Sequence, residues 1–106
     1  MNIQLNRNGS TITLNVEGEI DECGAEILKN RFRDVAASGA RNIFVNFSKV
    51  SHIGSAGIGK ILVFYKDLAI RDATLALEQV PDHIYHMLRE MKLDTIFSIS
   101  CQSNSR

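Results

Sequence analysis

Apolar residues in this chain recur at two spacings, and the points where one gives way to the other dictate its architecture. Ile3 and Leu5, then Ile12, Leu14 and Val16, alternate with polar residues. A period of two marks strands with one buried face. Asn8-Gly9 between the runs is a hairpin signal, so two antiparallel strands are expected over roughly 2–7 and 10–17. Gly18–Gly24 reads as a loop carrying Glu19, Asp21 and Glu22.

From about 25 to 38 the spacing becomes helical, through Leu28, Phe32, Val35 and Ala36, with Gly39 as a stop. Ile43–Phe47 is a short apolar strand expected inside the sheet, with both faces covered. Ser48–Gly54 reads as a second loop. A helix then runs from Ser55 to about Ile70, with Ile58, Ile61, Leu62, Tyr65, Leu68 and Ala69 along one stripe. Thr74–Gln79 is a strand through Leu75 and Leu77. Pro81 suits the first position of a third helix, where its missing N–H costs nothing. The apolar face of that helix would be Ile84, Met87, Leu88 and Met91. Ile96–Ile99 is a last strand, and CQSNSR, from Cys101, reads as a polar, frayed tail.

The order is β-β-α-β-α-β-α-β. Strands separated by helices imply parallel crossovers, and the leading hairpin adds an antiparallel pair. The fold class is therefore α/β, a mixed sheet packed by helices. With 106 residues, 44% of them hydrophobic, the chain is expected to form one domain over 1–106 around a single core. Its 12 basic residues balance 12 acidic ones. That balance argues against a nucleic acid or an anionic membrane gripped by bulk charge. No apolar run approaches the ~20 residues of a membrane span. MNIQLNRNGS lacks the apolar segment of a signal peptide. With two distant cysteines as well, a cytoplasmic protein is expected.

Chemistry concentrates at Gly54-Ser55-Ala56-Gly57-Ile58-Gly59-Lys60. Gly54, Gly59 and Lys60 fit the G-x-x-x-x-G-K of a phosphate-binding loop. The next position should be Ser or Thr to hold Mg²⁺, and here it is Ile61. The preceding strand also ends near Phe47, well before the glycines, so a small nucleotide-binding enzyme is disfavoured. Ser55 at a helix start can simply cap an orphan N–H. Alternatively, Gly54, Gly57 and Gly59 clear space for another protein to approach the hydroxyl. The helix N-terminus also favours an anion there, including a phosphoryl group. Gly57 and Gly59 cost roughly 1 kcal/mol each in helix propensity, which a packing or recognition benefit should offset.

These residues resemble the STAS-domain anti-sigma factor antagonists of bacteria. Gly18-Glu19-Ile20-Asp21 is similar to that family's G-E-[IL]-D loop. Asn46-Phe47 followed by Ile53-Gly54-Ser55-Ala56-Gly57-Ile58-Gly59 resembles its strand and D-S-[ST]-G-[IL]-[GA] motif. The resemblance implies a mixed sheet with flanking helices. It also implies a non-enzymatic binding module without a cofactor. The implied partner is an anti-sigma factor that is also an ATP-using serine kinase. That kinase phosphorylates the motif's Ser, here Ser55, and a phosphatase reverses the modification. The unphosphorylated form would bind the kinase and release its client. The implied contact residues are Glu19, Asp21, Gly54, Ser55, Ala56, Gly57, Ile58 and Gly59. Gly54 replaces the motif's Asp, and Ala56 its second hydroxyl residue, which leaves Ser55 as the acceptor ahead of nearby Ser51. A constitutive scaffold of the same fold, without phosphate control, is the alternative.

Asp21 could orient the hydroxyl, meet a partner's cation, or cap the helix over 25–38. Glu19 reads as a solvated rim charge. His83 and His86 lie three apart on a helix and His52 in a loop, with no third metal ligand at a convincing spacing, so surface histidines are expected. Cys23 and Cys101 form no C-x-x-C pair and read as incidental thiols. Met87 and Met91 read as core packing. Lys29, Arg31 and Arg33 occupy a polar helix face that needs no nucleic acid to explain it.

Overall fold

The Asn8-Gly9 signal marks a hairpin in which β1 (Asn2–Asn8) and β2 (Thr11–Ile20) pair antiparallel, with Gly9 at φ +62° in the turn. The computed structural model describes residues 1–102; the rest of the expected polar tail, 103–106, lies outside the described residues. After the hairpin come α1 (Glu22–Ala37), β3 (Asn42–Ile53), α2 (Ser55–Ile70), β4 (Thr74–Val80) and α3 (Asp82–Glu90). A 3₁₀ turn at Leu93–Thr95 leads into β5 (Ser98–Cys101). The order is the expected one. The sheet runs β1-β2-β3-β4-β5, with every pair after the hairpin parallel.

A sheet order that follows the chain, built from right-handed crossovers, puts every helix on the same face. The side chains agree. Ile12, Leu14, Ile43, Val45, Phe47, Leu75 and Leu77 are buried toward the helices, whereas Thr13, Asn15, Phe44, Asn46, Ala76 and Glu78 are only half-buried. The expectation that β3 is covered on both faces is thus corrected. The second face carries amides and hydroxyls that water can satisfy.

Neither stretch read as a loop is one: Ser48–Gly54 is strand through Ile53, and Gly18–Gly24 is strand to Ile20, the cap Asp21 and then the first residues of α1. β3 continues to Ile53 and β2 to Ile20. The reason is a broken period. Asn15 pairs with Asn46 but Glu17 with Lys49, and Gly18 pairs with Val50 but Glu19 with His52. Each step inserts an extra residue into β3, a bulge that flips the facing of the residues beyond it. The buried set therefore passes from Phe47 to Val50 and then Ile53, a spacing that no longer reads as alternation.

Two helix starts shift, those of α1 and α3, while α2 starts at Ser55 as expected but with a different cap. α1 begins at Glu22 because Asp21 caps it: its Oδ1 accepts from the Gly24 N–H at 2.8 Å. Pro81 is the N-cap of α3 rather than its first residue, and it has no side-chain acceptor to offer. Gly54 is the N-cap of α2, which places Ser55 inside the first turn. On α2 the buried stripe is Gly57, Ile58, Ile61, Phe64 and Leu68. Leu62 and Tyr65 are half-buried and Ala69 is exposed. Met91 lies past the end of α3 and is exposed, so it is not core, and Met87 is half-buried. The last strand begins two residues later than expected because Leu93–Thr95 coils first; Phe97 is buried before it, and Cys101 belongs to β5 rather than to a frayed tail.

Candidate functional site

β2 and β3 are parallel neighbours, so their C-terminal ends stop side by side, with Ile20 opposite Ile53. The helices that follow both start from that edge. The carboxyl end of parallel strands is where α/β sheets place their ligands. Here it forms an open depression of about 630 Å³. Glu19, Asp21, Glu22 and Cys23 line one side; His52, Gly54, Ser55 and Ala56 line the other.

Two backbone contacts set the geometry. The Gly54 N–H donates to the Ile20 carbonyl at 3.0 Å, tying the start of α2 to the end of β2. The Ile58 N–H closes the first α2 turn on the Gly54 carbonyl at 3.1 Å. A Cβ on Gly57 would lie 2.6 Å from Ile20 Cγ2 and 3.0 Å from Ile53 Cγ1, so the helix can sit this low only with glycine there. A Cβ on Gly54 would meet only the Ile20 carbonyl, at 3.8 Å, and fits without strain.

Ser55 is exposed, and among the described residues nothing hydrogen-bonds its hydroxyl. It does not cap α2. Gly54 provides no side-chain acceptor either, so the first-turn N–H groups keep their hydrogen-bonding capacity. This end of the helix suits an anion added at Ser55. The rim opposite is acidic through Glu19, Asp21 and Glu22, with no Lys or Arg in the lining. The N-terminus of the chain also reaches here. Met1 Cα would be 3.2 Å from a Cβ on Gly18, and Met1 Sδ 3.0 Å from one on Gly24.

Of the expected contact residues, Glu19, Asp21, Gly54, Ser55 and Ala56 line the depression together. Gly57 and Ile58 face the core, Ile58 being only 5% exposed. Gly59 lies in an adjoining depression along α2 with Glu22, Glu26, Lys60 and Val63. Sequence reasoning left Glu22, Cys23 and His52 out of the site. His52 was hidden by the bulges that made its strand look like a loop. Ser51 is exposed one residue earlier and does not line the depression; its carbonyl lies 3.0 Å from His83 Nε2. The phosphate-loop pattern is not a loop: residues 55–60 are helical, so their backbone cannot wrap a nucleotide phosphate. Among the described residues no His/Cys/Asp/Glu cluster could hold a metal, and no helix is long and apolar enough to cross a membrane.

The STAS domain family model matches residues 2–105. The chain belongs to the STAS domain family. This STAS domain is 26% identical over 103 residues to the anti-sigma-B factor antagonist of Bacillus subtilis (strain 168), covering 97% of this chain and 94% of that protein. Its fold is similar to that of an anti-sigma factor antagonist from Mycobacterium paratuberculosis, with a TM-score of 0.83 at 19% identity over 92% of this chain and 83% of that one. It is also similar to the Bacillus cell fate determinant SpoIIAA in its phosphorylated form. There the TM-score is 0.75 at 19% identity, over 98% of this chain and 96% of that one. These likenesses extend over 92–98% of the STAS domain.

Proposed function

We propose that this STAS domain is an anti-sigma factor antagonist that works by partner switching. The unphosphorylated form binds an anti-sigma factor serine kinase and frees that kinase's client. The kinase then moves the γ-phosphoryl group of ATP onto Ser55 Oγ; the hydroxyl proton is lost and ADP leaves. The phosphorylated form lets go, and a serine phosphatase restores it. The domain itself performs no catalysis and works in the cytoplasm.

The observation that carries this reading is the setting of Ser55. Its hydroxyl is exposed, takes no part in capping, and sits at a helix end able to neutralise a new anion. The name of the Bacillus subtilis relative and the existence of a phosphorylated SpoIIAA of the same fold support it. Glu19, Asp21 and Glu22 form the acidic rim that a basic patch on the kinase would meet.

Gly54 favours a second reading. Where the family motif has an Asp, this chain has no carboxylate, although the site has room for a side chain. A constitutive scaffold would need no kinase to read that position. Incubation with the host's anti-sigma serine kinases and ATP, followed by intact mass and phosphopeptide mapping, separates the two. A single phosphate at Ser55 supports switching. Stable binding with no phosphate transfer supports the scaffold, and a phosphate mapped to Ser51 overturns the assignment of Ser55.

A further inference from the structure

Gly59 is a glycine in the second turn of α2 for which the fold itself gives no reason. A Cβ there would meet nothing within 4 Å, whereas Gly57 is required by Ile20 and Ile53. Gly59 is half-buried, and a glycine inside a helix costs helix propensity relative to alanine. A benefit outside the fold is the natural offset, and close approach of another backbone is what a missing side chain permits.

Gly59 lies midway along a continuous groove between α1 and α2. The depression at Ser55 shares Glu22, Ser55 and Ala56 with the one that contains Gly59, and that one shares Lys60 and Val63 with a third. At ~1.5 Å per residue, Ser55 to Asp67 spans about 18 Å, the length of a three-turn helix. Val63 stands 66% exposed on its wall, and the stacked pair Phe32 and Phe64 lines its far end.

The groove is electrically polar. At the Ser55 end the lining carries three carboxylates and no Lys or Arg. At the far end Lys29, Arg33 and Lys60 face one carboxylate, Asp67, which already pairs with Arg71 at 3.0 Å. Lys29 and Lys60 share a single acid, Glu26, at 3.6 Å each, and Arg33 has no ion pair among the described residues. The sheet edges lie elsewhere, so an occupant finds side chains here and no unpaired backbone to extend. That geometry suits an amphipathic helix rather than a strand.

We propose that this groove docks a helix of the anti-sigma partner, with an apolar face over Gly59 and Val63, basic residues over Glu19–Glu22 and acidic residues over Lys29, Arg33 and Lys60. The inference rests on the partner-switching reading and adds a second contact beyond Ser55. It is tested by calorimetry between the full chain and the purified kinase that phosphorylates Ser55. Gly59→Gln puts a better helix former at an open position, so its melting temperature should hold or rise, yet it should weaken binding at least 10-fold. Arg33→Glu should weaken it several-fold, with the loss shrinking as salt rises and reversed by an acid-to-lysine change on the partner's helix. Binding of both variants like wild type, while Ser55→Asp still fails, overturns the groove and leaves partner switching standing. A change in self-association with unchanged kinase affinity assigns the groove to a second copy and also overturns it. If no kinase binds the wild-type chain, the functional reading fails and takes the inference with it.

Discussion

Gly57 sits so close to Ile20 that a Cβ on it would fall 2.6 Å from Ile20 Cγ2. This contact holds the first turn of α2 down on the end of β2 and so fixes the height of Ser55. Gly57→Ala should force the helix outward and destabilise the fold by about 1–3 kcal/mol through overpacking. Gly59→Ala, two residues on, should instead stabilise it by up to about 1 kcal/mol. Urea unfolding of the two variants checks the opposite signs.

Phe32 and Phe64 join α1 to α2, their rings parallel within 3° and their centroids 4.0 Å apart. Both are buried. Phe64→Ala should cost about 3–5 kcal/mol, and Phe64→Leu less because more of the volume is kept. Denaturant titration gives the values. A double-mutant cycle with Phe32→Leu should return a coupling of about 0.5–1.5 kcal/mol, the part due to ring stacking.

Phe64 also shows where the sequence was legible and where it was not. The element order could be read because each segment keeps one period over several residues, as Ile12, Leu14 and Val16 do. Phe64 was missed because α2 carries apolar residues around much of its circumference, including exposed Val63 and Ile70, so its inward stripe is not unique. Val50 and Ile53 were missed for a different reason: bulges in β3 shift the facing of the strand, and a fixed period cannot track them. The bulge at Gln79, which has φ +57° between the paired Leu77 and Val80, hides in the same way. At the site, the glycine-flanked Ser55 was visible at once. The roles of its neighbours were not, since which glycine is required depends on distances to Ile20 that no spacing encodes.

Asp21 combines a cap with a rim charge, and two substitutions separate them. Asp21→Ala removes the 2.8 Å bond from the Gly24 N–H and should cost about 0.5–2 kcal/mol. Asp21→Asn keeps a capping oxygen and should restore most of that stability. If the charge meets a basic group on the kinase, Asn should still bind more weakly than wild type. Thermal melts read the first effect and calorimetry with the kinase the second.

Ser55→Ala should abolish phosphorylation and change stability by less than about 0.5 kcal/mol, because the hydroxyl caps nothing. Intact mass and urea unfolding test both halves. Ser55→Asp should bind the kinase more weakly than Ser55→Ala. If the kinase's bound nucleotide stands within reach of Ser55 Oγ, as the proposed transfer requires, its phosphates face the new charge. At ~5 Å and an effective dielectric of ~20, each charge pair repels by roughly 3 kcal/mol. That corresponds to more than about 100-fold in affinity. The gap between Ala and Asp should therefore narrow when the kinase is stripped of nucleotide; an unchanged gap would reject the electrostatic account.

The seat of Met1 against Gly18 and Gly24 has a practical consequence for all of these measurements. Any affinity tag fused ahead of Met1 would leave the protein beside the very surface under test. Weak binding by such a fusion would report the tag.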